Sequence, residues 1–334
     1  MILLLRKCKK HKGLKDKGRL KKMIYVLGHN YAYTDLDSIV SSIVLAEILN
    51  KKGCLAKPVV INPSAIGQES IDIINHIGEL ALPELVSINE IIKNDIALVD
   101  HNNPMESYGA HISNMAHEGV HLIDKTPVIC IDHHVDAGYP AKIKIIERVG
   151  STCTILTEII KKENIKLSGL LARALVFGIA CDTKGLKSRK TSDRDREMIE
   201  YLYNTYKIGT ELENVLNFVL TSTNVLNMTT DQILRNSLKE YCGGSIGIAC
   251  IEVLNDDYMQ RLEEIKKAAS KTKYPLFILM IFRQHEGETV VYYFSKKPNL
   301  FPKMQRYDDL ISRAQDLVPY VLDRLKKEYA KKSG

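Results

Sequence analysis

Between residue 23 and about residue 190, short apolar runs alternate with longer segments whose apolar positions recur at helical spacing. The short runs predict strands near 23–29, 56–62, 95–101, 126–134 and 141–147. The longer segments predict helices near 36–51, 151–164, 168–182 and 192–206. Alternating strands and helices predict an α/β domain, with a mostly parallel sheet that helices cover on both faces.

A second pattern begins after residue 228. Thr229-Thr230-Asp231-Gln232 has the composition of a helix start, with Thr229 or Thr230 as the capping residue. Further strands are predicted near 245–254, 275–283 and 289–295, with helices near 256–271 and 308–331. The chain is therefore predicted to hold a larger first domain over 23–206, a linker over 207–228, and a smaller α/β domain over 229–330.

The net charge of +7 is concentrated at the N-terminus. Residues 1–22 contain ten lysines and arginines against Asp16, so this segment carries +9 and the remainder carries −2. The body is therefore not expected to bind nucleic acid through its bulk charge. We predict a disordered basic leader over 1–22; a polyanion-binding arm, a transit peptide and a start at Met23 are the alternatives.

The apolar runs and the cysteines bear on where in the cell the chain is expected. No apolar run approaches the roughly 18 residues of a membrane span, so we expect no membrane insertion. The seven cysteines are scattered and contain no CxxC pair, which argues against a zinc knuckle and favours a reducing, cytoplasmic location.

Three predicted strands of the first domain end in side chains that can bind metals. The first runs into Gly28-His29, the second into Asp100-His101, and the third into Asp132-His133-His134. Ligand sites in parallel sheets lie beyond the carboxyl ends of the strands. Because buried, unpaired imidazoles and carboxylates are costly, a bound cation is the simplest compensation.

Aspartate and neutral histidine suit Mn²⁺ or Mg²⁺, and a pair of such ions needs a shared carboxylate and several further ligands. The candidates come from the strand ends, from the start of helix 36–51 and from the end of helix 168–182. They are His29, Asp35, Asp37, Asp100, His133 and Asp182. Taken singly, each also has a structural interpretation, such as a helix cap or a loop acid. Their combination favours a metal centre.

A competing motif lies in His117-Glu118-Gly119-Val120-His121, which fits the H-E-x-x-H pattern of zinc proteases. That motif must lie on a helix so that both imidazoles share one face. Gly119 lies inside it and the flanking residues are not strongly helical, so we favour a polar loop.

The motifs together resemble the DHH phosphoesterase superfamily. The likeness covers about residues 23–325 and extends to the branch with a DHHA2 C-terminal domain, which includes manganese-dependent family II inorganic pyrophosphatases and exopolyphosphatase/prune-like proteins. The segments that carry it are Gly28-His29 with Asp35-Leu36-Asp37-Ser38, Val99-Asp100-His101-Asn102, Ile131-Asp132-His133-His134, Val149-Gly150-Ser151-Thr152-Cys153-Thr154 and Asp182-Thr183.

The resemblance implies two divalent cations, with Mn²⁺ favoured and Mg²⁺ or Co²⁺ as alternatives. One ion would be held by His29 and Asp35 and the other by Asp37 and His133. Asp100 and Asp182 would contact both. Asp132 would orient a histidine from outside the ligand set.

The resemblance also implies contacts to substrate. His134 would face a substrate phosphate, with His101 as a further candidate. In the DHHA2 domain, Ser312 and Arg313 would bind a terminal phosphate, although Arg313 can also be interpreted as a surface arginine on an amphipathic helix. The turn Gly150-Ser151-Thr152 could favour a phosphate at a helix N-terminus or serve as an ordinary helix cap.

The activity that the resemblance implies is hydrolysis of a small phosphate anhydride, either pyrophosphate or short polyphosphate. Two alternatives stay open: another DHH phosphoesterase acting on nucleotides, and a prune-like regulatory binding protein with weak hydrolysis. A homodimer is left open as the assembly.

Three departures from the family pattern matter. The spacing from His29 to Asp35 is longer, so the loop between them must bulge or His29 is not a ligand. Ala314 follows Arg313 where pyrophosphatases carry lysine, and Asn227-Met228 stand where a second lysine is expected. The basic residues after Asp182 either compensate or form a solvated loop; they are Lys184, Lys187, Arg189 and Lys190.

Overall fold

The computed structural model describes residues 22–108, 126–297 and 299–333. They form two compact units, of which the first ends at Thr223 and the second begins at Asn224. The basic leader predicted over 1–22, except for Lys22, and the H-E-x-x-H segment at 117–121 lie outside the described residues.

A six-stranded sheet forms the centre of the first unit. Its strands are β1 (Ile24–Leu27), β2 (Ala56–Val60), β3 (Glu84–Leu85), β4 (Asp95–Val99), β5 (Ile129–Asp132) and β6 (Lys144–Ile146). Their order is β3-β2-β1-β4-β5-β6 and every neighbouring pair is parallel, which confirms the predicted sheet. The strand order reverses direction at β1 and β4, and ligands of such sheets bind at this switch point.

Helices surround the sheet. They are α1 (Leu36–Lys51), α2 (Gln68–Ile77), α3 (Ile88–Lys93), α4 (Thr152–Glu163), α5 (Gly169–Asp182), α6 (Asp193–Tyr206) and α7 (Leu212–Ser222). Strand β1 contributes to two cores: Ile24 and Val26 belong to the one that includes α1, α4 and α5, and Tyr25 and Leu27 to the one that includes α3. Burial on both faces explains why the strands appear in the sequence as uninterrupted apolar runs.

The segment predicted as a linker, 207–228, contains helix α7. Val215 and Val219 of this helix are buried in the main core of the first unit. Most of the segment therefore packs as part of that unit, and the division between the units falls at Thr223.

The second unit is built on a mixed sheet. Its strands are β7 (Lys239–Tyr241), β8 (Ile246–Val253), β9 (Leu276–Arg283), β10 (Glu288–Ser295) and β11 (Met304–Tyr307), in the order β11-β10-β9-β8-β7. Only β8 and β9 are parallel. Helices α8 (Thr230–Arg235), α9 (Leu262–Ala269) and α10 (Val318–Ser333) accompany it, and Thr229 caps α8 as predicted. None of the helices in the described ranges is both long and apolar enough to cross a lipid bilayer.

The last helix begins later than predicted, which corrects the expected span 308–331. Residues before 308 form β11, and a short π-helical turn, Arg313–Leu317, precedes α10 at Val318. Pro319 therefore lies in the first turn of α10. A proline is tolerated there because that N–H would have no partner within the helix, whereas in a helix begun at 308 it would be interior.

Candidate metal centre

Beyond the carboxyl ends of β1, β4 and β5, four segments converge on one cluster of acidic and histidine side chains. Their ligand atoms fall into three groups, within each of which the atoms lie inside 4.8 Å of one another. The groups are His29-Asp35-Asp100, Asp37-His133-Asp182 and Asp100-Asp132-His133-His134. The structure thus brings together all six predicted metal ligands.

Asp100 lies at the centre of the cluster. Its Oδ2 is 3.4 Å from Nε2 of His29, and its Oδ1 is 3.3 Å from Nε2 of His133. The residue is buried and adopts a left-handed backbone with φ of 60°, a conformation that costs of order 1–3 kcal/mol in a non-glycine residue. Ser38 Oγ donates to Oδ2 at 2.6 Å. Each oxygen of this carboxylate therefore lies near a different histidine.

The first group is set up by hydrogen bonds that orient His29 and Asp35. Nδ1–H of His29 donates to the Tyr33 carbonyl at 2.7 Å, and its Nε2 lies 3.1 Å from Asp35 Oδ2. The other oxygen of Asp35 caps α1 by accepting the Ser38 N–H at 3.0 Å. A histidine whose Nδ1 is engaged in this way presents Nε2 to a metal.

The long spacing between His29 and Asp35 is accommodated by a bulge. Thr34 forms a bridge to Ile66, and the Tyr33 hydroxyl donates to the Glu69 carboxylate. Gly67 lies beside this contact and leaves room for it. A Cβ at this position would lie 2.3 Å from Glu69 Oε1 and 2.9 Å from the Tyr33 ring. Through these contacts, Tyr33 and Thr34 pack against segment 62–69. His29 therefore still lies beside Asp35 despite the longer spacing.

The second group contains a buried nitrogen without a hydrogen bond. Nδ1–H of His133 donates to the Val149 carbonyl at 3.1 Å. Its Nε2 is buried and has no hydrogen-bond partner among the described residues, although Asp182 Oδ2 lies 3.3 Å away. A buried, unsatisfied nitrogen beside carboxylates has the donor chemistry of a Mn²⁺ or Zn²⁺ site, so the residues present fit a divalent cation.

Asp37, also in the second group, is held by the start of helix α4. Its carboxylate accepts the Thr152 N–H at 2.7 Å, the Cys153 N–H at 2.9 Å and the Ser151 hydroxyl at 2.8 Å. Of the two interpretations of the Gly150-Ser151-Thr152 turn, Ser151 does cap α4. The N–H groups of its first turn are directed at a protein carboxylate.

Asp132 and His134 form a pair at the edge of the cluster. Asp132 is buried, and its Oδ1 accepts from His134 Nδ1 at 2.8 Å. The His134 side chain is 46% exposed, so the ring is held at one nitrogen and reaches solvent. Asn102 donates to the other oxygen of Asp132 at 2.5 Å. Asn102 was not predicted as a site residue, although it belongs to the motif that begins at Val99.

Two carboxylic acids of the cluster, Asp37 and Asp182, have raised pKa values. Burial, with Asp100 and Asp182 nearby, raises the pKa of Asp37 well above its usual value. Burial also raises the pKa of Asp182 to about 6, against the opposing effects of Lys190 and His133. Buried negative charges at this density call for a positive partner.

The pKa values of two histidines are raised as well, which favours their charged form. Burial alone would lower the pKa of His29, but Asp35 and Asp100 raise it well above the usual value. In the same way, burial is outweighed by Asp100 and Asp182, which raise the pKa of His133 to about 10. Without a cation, His29 and His133 therefore retain their protons at neutral pH.

Three further predicted substrate-binding residues make contacts within their own units. Both ring nitrogens of His101 are engaged within its own loop, with the Val99 carbonyl at 2.9 Å and Ser107 Oγ at 2.8 Å. In the second unit, Nη1 of Arg313 donates to the carbonyls of Ser237 and Ile248.

Ser312 caps the turn that follows it by accepting the Gln315 N–H at 3.2 Å. Of the positions where lysines were expected, Met228 is buried and Ala314 is exposed.

Comparison with known proteins is consistent with this geometry. Residues 23–179 match the N-terminal domain of the DHH family. The chain is 27% identical over 271 residues to the manganese-dependent inorganic pyrophosphatase of Bacillus subtilis, covering 77% of this chain and 81% of that protein. A Lactobacillus gasseri protein named "Probable manganese-dependent inorganic pyrophosphatase" is 26% identical over 315 residues, covering 90% and 95%. A solved structure of a candidate family II inorganic pyrophosphatase from Methanococcus jannaschii superposes with a TM-score of 0.67 at 25% identity, covering 90% of this chain and 99% of that one.

Proposed function

Since residues 23–179 form a DHH-family N-terminal domain, we propose that the chain is a dinuclear-metal hydrolase that cleaves the phosphoanhydride bond of inorganic pyrophosphate or short polyphosphate. The observation that carries the proposal is the position of Asp100, whose two oxygens face His29 and His133 in different ligand groups. The relatives named as manganese-dependent inorganic pyrophosphatases support both the substrate class and the metal.

In this proposal, His29, Asp35 and Asp100 would hold one cation, and Asp37, His133 and Asp182 would hold the other. Asp100 and Asp182 would contribute to both sites, with Mn²⁺ favoured over Mg²⁺ or Co²⁺. Divalent cations at these positions supply Lewis acidity, which lowers the pKa of water and compensates the charge of phosphate oxygens.

His134 is proposed to bind a substrate phosphate through Nε2. Asp132 accepts from its Nδ1 at 2.8 Å and so directs the other nitrogen away from the buried pair. Asn102 and the backbone around β5 keep Asp132 in place. A ring that is oriented but exposed can donate to an anion without a rearrangement of the core.

The hydroxyl groups of the site are proposed to orient the ligands and not to act as nucleophiles. Ser38 donates to Asp100 and Ser151 donates to Asp37, so each hydroxyl is committed to a carboxylate. Hydrolysis is therefore proposed to proceed without a covalent enzyme intermediate.

Ser312 and Arg313 remain proposed phosphate-binding residues of the second unit. Phosphate would have to replace the carbonyl contacts that Arg313 Nη1 makes with Ser237 and Ile248. For His101 we now propose a supporting role in the loop after Asp100, because both of its ring nitrogens are engaged there.

The test compares Asp100→Asn and His133→Ala with wild type and with the surface control Asp72→Asn. Phosphate release from pyrophosphate, tripolyphosphate, long polyphosphate and cyclic nucleotides is measured with Mn²⁺, and bound metal is counted by elemental analysis. We expect both site variants to lose more than about 100-fold in rate, because each removes a ligand of the proposed cations. Near-normal hydrolysis by either variant would refute the proposed mechanism.

The same panel separates the alternatives. Release from cyclic nucleotides and not from pyrophosphate would favour another phosphoesterase. Stoichiometric metal binding without hydrolysis of any of the four substrates would favour a regulatory binding protein.

A further inference from the structure

One short segment, residues 149–154, forms hydrogen bonds with three of the proposed metal ligands. It lies between β6 and the first turn of α4. The three ligands come from α1 and from the residues that follow β4 and β5. They are Asp37, Asp100 and His133. A displacement of this segment would therefore affect three ligands at once.

The contact with His133 continues through a single peptide group to a buried acid. The Val149 carbonyl accepts Nδ1–H of His133 at 3.1 Å. The N–H of the same peptide group, which belongs to Gly150, donates to the two carboxylate oxygens of Asp195 at 2.9 and 3.1 Å. Asp195 is fully buried. Successive hydrogen bonds polarise one another, so this carboxylate makes the Val149 carbonyl a better acceptor for the imidazole.

Asp195 also bonds the other end of the segment. Thr154 Oγ1 donates to Asp195 Oδ1 at 2.5 Å, and the donors that hold Asp37 lie between this bond and the one at Gly150. The close approach depends on glycine, because a Cβ at Gly150 would lie 2.8 Å from Asp195 Oδ2 and 2.5 Å from Thr183 Cγ2. One buried carboxylate therefore fixes both ends of the turn that holds Asp37.

We propose that Asp195 is a positioning residue of the metal centre, a role that rests on the metal ligands of the proposed function. It acts on His133 through the peptide group between Val149 and Gly150, and on Asp37 through the turn that follows. A histidine that offers Nε2 to a metal depends on the partner of its Nδ1–H for the orientation and basicity of the ring. Asp195 strengthens that partner and holds it in place.

A simpler role would make Asp195 only part of the capping box at the start of α6. Its Oδ2 accepts the Ser192 N–H at 2.7 Å and the Ser192 hydroxyl at 2.6 Å, and Ser192 Oγ accepts the Asp195 N–H in return. A residue that only caps α6 would contribute to stability and leave metal affinity unchanged when it is replaced. A positioning residue would change metal affinity when Asp195 is replaced, but not when Ser192 is replaced.

The experiment uses the full chain as Asp195→Ala and Asp195→Asn, with Ser192→Ala as the matched control. Ser192→Ala removes a hydroxyl contact to the same carboxylate but leaves the bonds of that carboxylate to Gly150 and Thr154. Calorimetry measures Mn²⁺ binding to chelator-stripped protein. The visible absorption of bound Co²⁺ reports the arrangement of ligands around the ion, which the stability of α6 alone does not change. Urea unfolding verifies that each variant is folded under the conditions of the titration.

We expect Asp195→Ala to weaken Mn²⁺ binding by about 10- to 100-fold, the range for loss of a residue that orients a metal-bound ligand, and to shift the Co²⁺ absorption. Asp195→Asn should lose less, because its amide oxygen still accepts the Gly150 N–H. Ser192→Ala should unfold at a lower urea concentration but bind Mn²⁺ like wild type. Wild-type Mn²⁺ affinity in Asp195→Ala would overturn the proposal, as would an equal loss of affinity in Ser192→Ala. If Asp195→Ala does not fold, wild-type affinity in Asp195→Asn would overturn it.

Metal binding is measured without turnover, so the two proposals can fail separately. If replacement of Asp195 weakens Mn²⁺ binding but wild type hydrolyses neither pyrophosphate nor tripolyphosphate, the proposed hydrolase fails and the positioning role stands. If wild type hydrolyses pyrophosphate and Asp195→Ala binds Mn²⁺ with wild-type affinity, the positioning role fails alone. If wild type binds no Mn²⁺, the role of Asp195 is refuted as well.

Discussion

Replacement of Tyr33 by phenylalanine tests whether the bulged loop positions a metal ligand. Two contacts meet at Tyr33: its carbonyl accepts Nδ1–H of His29 at 2.7 Å, and its hydroxyl donates to Glu69. Tyr33 and Glu69 are buried, and the absence of a side chain at Gly67 lets them approach. The hydroxyl thus anchors the same residue whose carbonyl orients His29.

The magnitude follows from these contacts. Tyr33→Phe preserves the ring and the carbonyl but leaves the buried Glu69 carboxylate without this donor, a loss worth about 1–3 kcal/mol in unfolding free energy. A partner that orients a metal-bound histidine typically contributes 10- to 100-fold to metal affinity. We therefore expect the affinity for one Mn²⁺ ion to fall by about 10-fold or more, or about 1.4 kcal/mol at the lower limit.

The assay titrates Mn²⁺ into chelator-stripped protein and follows binding by calorimetry and electron paramagnetic resonance. Tyr206→Phe is the matched control, because its hydroxyl donates to the Ile165 carbonyl at 3.2 Å and contacts no residue of the ligand groups. Glu69→Gln should be intermediate, since the amide oxygen still accepts from Tyr33. Urea unfolding of the metal-free proteins measures the loss of stability separately.

One result would refute the reasoning. If Tyr33→Phe loses as much unfolding free energy as Tyr206→Phe but binds Mn²⁺ as tightly as wild type, the contact between Tyr33 and Glu69 stabilises the fold without positioning His29.

Four further predictions follow from other contacts. Gly28→Ala should lower the unfolding free energy by about 1–3 kcal/mol, because its Cβ would lie 2.7 Å from Ser38 Cβ and 2.9 Å from the Ser38 carbonyl oxygen; unchanged urea unfolding would contradict this. Asp195→Asn should cost about 1–3 kcal/mol in the same assay, because Thr154 Oγ1 donates to one carboxylate oxygen and the Ser192 N–H to the other, so an amide NH2 would face one of these donors; stability equal to wild type would contradict this. The raised pKa of His133, about 10, means that Mn²⁺ must displace a proton, so Mn²⁺ affinity should rise with pH toward 10 and calorimetry in two buffers should detect proton release. In metal-free protein, the charged His133 stabilises the fold fully below its usual pKa, and this contribution is lost as pH rises toward about 10.

Local sequence was sufficient for most elements of the first unit. The helix predicted over 36–51 agrees with α1 at both ends, because Asp35 supplies the cap and most of the residues after it are buried. The prediction omitted α2, although Ile73, Ile74 and Ile77 have helical spacing and are buried on one face. It also began the last helix at residue 308, whereas the π-helical turn starts at Arg313 and α10 starts at Val318.

The sequence by itself determined the parallel α/β sheet and the metal-binding character of its strand ends, because apolar periodicity and residue chemistry are local properties. Only the tertiary structure distinguished His29, which lies between Asp35 and Asp100, from His101, which bonds Val99 and Ser107. It also brought the N–H groups of helix α4 to Asp37, more than a hundred residues away. These choices depend on the packing of distant segments, which no local pattern encodes.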